Sequence, residues 1–214
     1  ETPLLSAIAD GRLKRLITRA GANGLEPVFH TAFTRTSYRL SFDDGGWVML
    51  DIDVGEIVTT TAAAVEPLCE LELELEAGPA HRLFDLARRI NADVPLRVSV
   101  SSKANRGYAL AAGETPGWNR FARPDLTGNV TVEDAITLAV QRCLDHLLGN
   151  ETCLLETDDP EGVHQVRIAL RRLRSTLRLF RSVLPADQYR WLTDEIKWLT
   201  KQLAAARDWD VFSD

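Results

Sequence analysis

The hydrophobic period of the chain changes near residue 113, and this change limits the folds that the chain can adopt. Before it, apolar and polar residues alternate in short stretches, as in strands whose side chains point to opposite faces. Beyond about residue 129, apolar residues recur every three or four positions, as in amphipathic helices. We therefore expect an α+β half with an antiparallel sheet, joined to an all-α helical bundle.

The first half contains four alternating stretches and two helical patterns. The expected strands are His30–Phe42, Trp47–Val58, Leu68–Ala77 and Pro95–Lys103, and the expected helices are Pro3–Ala20 and Pro79–Asn91. The sequence "DDGG" between the first two strands is typical of a hairpin turn. The segment "GETPGWNRFARPDLTGN" has Gly, Pro and no period, and predicts a linker.

The second half predicts three helices. The first begins after Thr131, which with Asp134 resembles a capping box, and ends near Leu148. The segment "NETCLLETDDPEG" predicts a turn, and the other two helices run from Pro160 to about Val183 and from about Asp187 to Arg207. The predicted domains are residues 1–112 and 129–214, with the linker at 113–128.

Composition excludes several classes of protein. The chain has 214 residues, 45% of them hydrophobic and 26% charged, which is typical of a globular protein. No apolar run approaches the length of a membrane span, and the N-terminus lacks a signal-peptide pattern. The three cysteines are not at metal-ligand spacing, so we expect reduced thiols in a cytosolic protein and no zinc site.

Charges of one sign share a face on each expected strand. In "ELELELE" the four glutamates lie on one face and the leucines on the other. Asp51 and Asp53 share a face, as do Arg35 and Arg39, and Arg97 and Lys103 on the last expected strand. Two arrangements remain open: a solvated outer face over a leucine core, or a curled sheet whose inner carboxylates hold a divalent cation while Arg and Lys bind phosphate.

The segments "CELELELEAG", "LFDLARRI" and "SKANRGYAL" resemble the C-terminal half of a CYTH domain, over roughly residues 25–112. CYTH domains belong to the triphosphate tunnel metalloenzymes, so the resemblance implies a partial tunnel barrel that uses Mg²⁺ or Mn²⁺. It implies metal-binding carboxylates at Asp53, Glu70 and Glu72. It also implies catalytic phosphate contacts at Arg35, Arg39 and Lys103, with Arg106 as a further candidate.

The chain departs from the CYTH pattern in one respect. The "ExExK" strand that opens the family's domain is not found, nor are the strands expected before the first helix. We therefore expect this chain alone to hydrolyse triphosphate poorly, and whether it acts as an enzyme stays open. The sequence does not predict an oligomeric state.

A stripe of basic residues marks the second half. The segment "HQVRIALRRLRSTLRLFR" holds six arginines, one histidine and no acid, in a chain of net charge −6. At about 100° per residue, His164 and all these arginines except Arg172 fall within one arc of the helix. Either the stripe is ordinary solvated surface, or it binds an anionic partner such as an acidic protein, a nucleic acid or a polyphosphate.

This segment, with "LTKQLAAARDWDVF" farther along, resembles the first half of a CHAD domain, over about residues 129–214. CHAD domains are helical bundles that bind inorganic polyphosphate, and they often follow a CYTH domain. The resemblance implies polyphosphate contacts, without a cofactor, from the following residues: His164, Arg167, Arg171, Arg174, Arg178, Arg181, Lys197, Lys201 and Arg207.

We therefore expect a cytosolic, bacterial-type CYTH–CHAD protein whose partner is inorganic polyphosphate or triphosphate. Association with polyphosphate granules stays open. One alternative is a non-enzymatic polyphosphate adaptor in which the sheet is only a scaffold. Another is a nucleic-acid-binding helical module, which is disfavoured because Phe180 lies on the apolar side and no base-stacking aromatics interrupt the basic arc.

Overall fold

A computed structural model describes residues 9–20, 26–43, 45–61, 64–125 and 128–213, with the backbone alone for residues 20 and 205–213. The chain divides into two compact units. One comprises Glu1–Arg97 and Ser101–Glu114, and the other comprises Val98–Val100 and Thr115–Asp214. Among the helices of the described residues, none is both long enough and apolar enough to cross a membrane.

The first unit is built on an antiparallel sheet. Helix α1 (Gly11–Ala20) is followed by strands β1 (Phe29–Ser41), β2 (Trp47–Thr59) and β3 (Val65–Ala77), paired in the order β1-β2-β3. Gly45, whose φ of 88° favours glycine, donates its N–H to the carbonyl oxygen of Phe42 and closes the β1–β2 turn. The expected hairpin is thus confirmed, although Asp44 lies outside the described residues.

A bulge interrupts the pairing of β2 with β3 at one end of the sheet. Trp47 lies opposite Ala77 and Val48 lies opposite Leu75, so Glu76 has no partner in the register. From Val48 to Val58 the pairing is continuous. Residues two apart therefore share a face throughout the middle of the sheet.

The face that carries the acidic residues is buried in its central part. Ile57, Leu68 and Asp53 on this face are at most 1% exposed. On the opposite face Val48 is buried, whereas Val54 is 55% exposed. Towards the end of β3, by contrast, Glu72 and Glu74 of the same face are exposed. Both arrangements predicted from the sequence therefore stay open.

Helix α3 (Lys103–Ala112) packs against β1 and β2. Its Gly107 sits directly on the ring of Phe29, where a Cβ atom would approach ring carbons to 2.4 Å. The Tyr108 ring meets the same ring edge to face, with centroids 5.0 Å apart. The side chain of Ser102 accepts from the N–H of Asn105 and caps the helix start.

The expected strand Pro95–Lys103 is wrong. Helix α2 (His81–Asp93) ends before residues 94–102, which form neither strand nor helix, and Lys103 is the first residue of α3. The alternation of "LRVSVSSK" favours an extended chain, but the described residues pair no strand with it. Arg97 and Lys103 therefore do not share a strand face.

The second unit contains helices α4 (Val132–Leu148), α5 (Glu151–Glu156), α6 (Pro160–Leu179) and α7 (Ala186–Ser213). The capping box of Thr131 and Asp134 is present, as expected. The turn expected over "NETCLLETDDPEG" is wrong in part, because Glu151–Glu156 forms a helical turn and a half there. Asp159 then caps α6 by accepting from the N–H of Glu161.

The core of this unit lies between α6 and α7. Its buried members are Val166, Leu170, Leu177, Ile196 and Leu203. They recur at helical spacing on one side of each helix, so the apolar stripes face each other. The fold class expected from the sequence, an antiparallel sheet with helices followed by an all-α bundle, is confirmed.

A buried polar cluster fixes the chain that precedes α4. The Nε2 atom of His146 lies 3.0 Å from the carbonyl oxygen of Asn119 and 3.0 Å from Oε1 of Gln165. The fully buried Asn150 accepts from the N–H of Asn119 and donates to its carbonyl oxygen. These bonds tie residue 119, inside the predicted linker, to the helices of the same unit.

Candidate functional site

The strand register brings one arginine and two acidic residues side by side across the three strands of the sheet. Arg35 of β1 is paired with Asp53 of β2, which in turn is paired with Glu70 of β3. In the next row of the same face, Asp51 is paired with Glu72. These five residues, which come from three strands, therefore form one cluster, which we call the charged cluster.

Arg35 is the arginine at the centre of this cluster. Its Nε and Nη2 atoms donate to the two carboxylate oxygens of Asp53, at 2.7 and 2.6 Å, in a bidentate pair. Its Nη1 atom donates to Asp51 at 2.9 Å, and Nη2 also donates to Glu72 at 2.8 Å. One guanidinium thus holds carboxylates of two neighbouring strands at fixed positions.

Lys103 brings a second cation to the same carboxylates from α3. Its Nζ atom lies 2.6 Å from Glu72, 2.7 Å from Glu70 and 3.0 Å from Asp53. Burial by itself lowers the pKa of Lys103, but bonds to these three carboxylates outweigh that effect and raise it. Lys103 therefore stays protonated, and it joins the charged cluster as its sixth member.

Asp53 is the most buried carboxylate of the charged cluster, with a side chain that is 0% exposed. The pKa of Asp53 is lowered to about 2, first by the hydrogen bonds from Arg35 and then by Lys103, against burial, which raises it. Beside it, Oδ1 of Asp51 is buried without a hydrogen-bond partner in the described part of the chain. That oxygen is free to accept a further donor or to coordinate a cation.

Arg106 lies next to the charged cluster and is held by neighbouring residues of β3. It donates to Glu66 at 2.6 Å, to Glu70, and to the carbonyl oxygen of Pro67 at 3.1 Å. These bonds fasten α3 to β3 one helical turn after Lys103. The contact of Arg106 with phosphate, expected as a further candidate from the sequence, stays a prediction.

Arg39, which the sequence grouped with Arg35, points elsewhere. It lies on the same face, but its guanidinium lies over the ring of Trp47, with its central carbon 4.2 Å from the ring centroid. Within the described residues it forms no ion pair with the acids of the charged cluster. The CYTH resemblance implied six metal-binding or catalytic residues, of which the structure brings five together and leaves Arg39 outside.

The basic stripe of the second unit lies along α6. Arg171, Arg174 and Arg178 are exposed, and no acid lies between His164 and Arg181. His164 is half-buried, and Nη1 of Arg167 is buried without a hydrogen-bond partner among the described residues. Such an unpaired guanidinium nitrogen is typical of a site for an anion.

The remaining predicted contacts lie at the end of α6 and on α7. Arg181 lies beside the ring of Tyr189, at 5.8 Å, and Lys201 is exposed. Lys197 pairs with Asp194 of its own helix at 2.9 Å, so part of its charge is already neutralised. The side chain of Arg207 lies outside the described residues.

The sequence analysis missed two members of the acidic face. Asp51 was placed beside Asp53 but given no role, and Glu66 was not considered. Their signal was the period of two, which puts Glu66, Glu70 and Glu72 on one face of β3. In the described residues no group of three or more His, Cys, Asp or Glu side chains is arranged to hold a metal, since arginine and lysine occupy the carboxylate oxygens.

Comparison with known proteins identifies both units. The family model of the CYTH domain matches residues 6–108, and that of the CHAD domain matches residues 138–214. Over 88 residues the chain is 32% identical to a protein of Haemophilus influenzae described as an inorganic triphosphatase. This alignment covers 41% of the chain and 24% of the relative's length.

The extent of the CYTH match corrects one expectation. The sequence analysis limited the resemblance to the C-terminal half of a CYTH domain, beginning near residue 25, whereas the family model matches from residue 6. The helical pattern that precedes the first strand therefore belongs to the matched region. The chain contains a CYTH domain match followed by a CHAD domain match.

Proposed function

We propose that the CYTH domain binds inorganic triphosphate with a divalent metal ion and takes part in its hydrolysis, and that the CHAD domain binds inorganic polyphosphate. One observation carries the first part: Arg35 and Lys103 meet the carboxylates of Asp51, Asp53, Glu70 and Glu72 on one sheet face. The name of the Haemophilus influenzae relative supports triphosphate as the substrate. The reduced thiols are compatible with a cytosolic protein.

The residues of this face suit a divalent cation by their charge and chemistry once Arg35 and Lys103 release the carboxylate oxygens that they now bind. Five acids, the four of the charged cluster and Glu66, are balanced by the three cations Arg35, Lys103 and Arg106, which leaves two negative charges in excess. Carboxylate oxygens are the ligands that Mg²⁺ and Mn²⁺ prefer. The unpartnered Oδ1 of Asp51 offers a further oxygen. Asp53, Glu70, Glu72 and Asp51 are the residues that would hold the metal.

Two cations of the chain, Arg35 and Lys103, can bind the phosphate oxygens of triphosphate. A bound metal would polarise a phosphoryl oxygen and favour ionisation of an attacking water. When triphosphate arrives, Arg35 and Lys103 exchange carboxylate partners for phosphate oxygens, which are equally good acceptors for N–H donors. Their positive charges then lie where negative charge develops on the transferred phosphoryl group. Arg106 keeps α3, and with it Lys103, in position during this exchange.

The experiment measures binding of triphosphate to the chain by calorimetry, with and without Mg²⁺ or Mn²⁺, together with release of phosphate. We expect binding to require the metal and to fall at least about tenfold in the double variant Glu70→Gln/Glu72→Gln. The matched control is Glu56→Gln, an exposed glutamate of β2 on the opposite face. If metal-dependent binding of triphosphate survives in the double variant, the charged cluster is not the triphosphate site.

The basic stripe supports the second part of the proposal. Its arginines lie on one helix, and in the described residues Arg167, Arg171 and Arg174 have no carboxylate partner to neutralise them. A linear polyanion neutralises several such charges at once and releases its counterions, as on a nucleic-acid backbone. The guanidinium fork also binds phosphate oxygens in pairs.

Polyphosphate binding is tested in competition with single-stranded DNA of the same phosphate count, at fixed ionic strength. We expect polyphosphate to bind more tightly than DNA, and Arg167→Ala/Arg174→Ala to weaken it at least about tenfold. Arg142→Ala, an exposed arginine of α4, is the matched control. Equal affinity for both polymers would mean that the stripe binds anions in general. Unchanged polyphosphate binding in the double variant would mean that the stripe is not the polyphosphate site.

If the Glu70→Gln/Glu72→Gln variant binds polyphosphate like the parent, the two sites act independently. If the parent binds polyphosphate but shows no metal-dependent binding of triphosphate, the protein is a polyphosphate adaptor with the sheet as its scaffold.

A further inference from the structure

A cavity of about 690 Å³ lies beside α6, within the second unit and away from most of the basic stripe. Its walls come from the segment that precedes α4, from α4 itself and from α6. The lining residues are Phe121, Arg123, Pro124, Ala139, Cys143, Arg171, Arg172, Ser175 and Thr176. The volume lies in the range of sites for small organic ligands.

Three arginines and no acid line this cavity. In the part of the chain that the structure describes, Arg123, Arg171 and Arg172 form no ion pair. The guanidinium of Arg172 lies over the ring of Phe121, with its central carbon 4.3 Å from the ring centroid. This contact holds the cation beside the ring, and a guanidinium with no carboxylate partner among the described residues is suited to bind an anion.

The rest of the wall is apolar or neutral. Phe121, Pro124 and Ala139 contribute apolar surface, and Cys143 is 2% exposed. Burial raises the pKa of the Cys143 thiol, so it remains uncharged at neutral pH. An inorganic anion would use the arginines but leave this apolar wall uncovered, whereas an organic phosphate would use both.

We infer that this cavity is a binding site for a small organic phosphate, a phosphate ester whose group bears a ring or a comparable apolar body. Arg123 and Arg172 bind the phosphate oxygens, and the apolar wall takes the ester group. The site goes beyond the proposed function, which concerns polymers on the stripe. On α6, Arg172 is turned about 100° from Arg171, which lies at the border of stripe and cavity.

The experiment compares phenyl phosphate with inorganic phosphate on the complete chain by calorimetry or by NMR titration. We expect phenyl phosphate to bind at least about tenfold more tightly, because only it buries apolar surface. We expect Arg172→Gln and Arg123→Gln each to lower the affinity for phenyl phosphate at least about fivefold. Arg142→Gln on α4 is the matched control and should leave the affinity unchanged. Arg123 is exposed, so its substitution does not put the fold at risk.

Two results would overturn the inference: equal affinity for phenyl phosphate and inorganic phosphate, or phenyl phosphate binding that neither cavity variant changes. The result is separable from that for the stripe. If polyphosphate fails to bind while phenyl phosphate binds through Arg172, the proposed function of the stripe is wrong and the cavity site stands. In the reverse case the cavity site is wrong and the stripe stands.

Discussion

The buried Asp53 should make the stability of the sheet depend on pH in acid. Hydrogen bonds from Arg35 lower the pKa of Asp53 from 3.8 to about 2. A carboxyl group whose pKa is lower in the folded state stabilises the fold above its unfolded pKa, and this stabilisation is lost as the pH falls through the folded pKa. We therefore expect the contribution to be complete above about pH 5 and to disappear only at about pH 1, below both pKa values.

The size of this contribution follows from the two pKa values. A difference of about 1.8 pKa units corresponds to about 2.4 kcal/mol. Arg35 is 40% exposed, so solvent screening reduces the figure to about 1 to 2 kcal/mol. The free energy of unfolding of the parent, minus that of Asp53→Asn, should fall by about two-thirds of this amount between pH 6 and pH 2.5, because pH 2.5 is still above the folded pKa.

The assay is urea unfolding at each pH, followed through the NMR amide signals of β2, which report on the sheet alone. The ¹³C shift of the Asp53 carboxyl group gives its pKa directly, and the Asp53→Asn spectrum assigns the signal. Asp43→Asn, an exposed carboxylate of the β1–β2 turn, is the control, and its difference from the parent should stay within about 0.5 kcal/mol at every pH. A midpoint near 3.8, or a difference for Asp53→Asn that does not change with pH, would refute the reasoning.

Three further predictions concern packing and capping. Gly107→Ala should destabilise the sheet unit by about 1 to 3 kcal/mol in urea unfolding, because the new Cβ meets the Phe29 ring at 2.4 Å. Combining it with Phe29→Leu should recover part of this loss, whereas destabilisations of the two variants that simply add would contradict the contact. Leu170→Ala should cost the helical unit about 2 to 5 kcal/mol in a thermal or urea melt, whereas Leu179→Ala, at a side chain that is 76% exposed, should cost less than about 0.5 kcal/mol. Thr131→Ala should cost about 1 kcal/mol by removing the capping box of α4, and amide exchange at the start of α4 should speed up; unchanged exchange would show that the cap is not needed.

Much of the fold followed from periodicity because each half has a strong and different period. The three strands that pair in the structure were expected within a few residues of their bounds, as was the capped start of α4. The strand expected at Pro95–Lys103 failed because alternation only makes an extended chain favourable. Pairing depends on a neighbouring strand, which is a property of the tertiary structure. The short helix at Glu151–Glu156 was missed because six residues are too few to show a helical period.

The charged cluster could be predicted in part. A period of two shows which residues of one strand share a face, so Asp53 and the glutamates of β3 could be grouped from the sequence. The register of β1 against β2 decides which residues of the two strands lie opposite each other, and the sequence does not give it. It is the register that brings Arg35 to Asp53 but Arg39 to Trp47. The position of Lys103 at the start of a helix, not on a strand, depends on the packing of α3.

The continuous register of β2 and β3 also determines where the length of the chain can change during evolution. One residue inserted between Leu68 and Glu70 would turn Glu70 and Glu72 to the opposite face and dismantle the acidic side of the charged cluster. The bulge at Glu76 already holds one unpaired residue at the other end of the strand, so a change of length there leaves the pairing around Asp53 intact. Insertions and deletions among relatives should therefore concentrate near Glu76 and be excluded from the middle of β3.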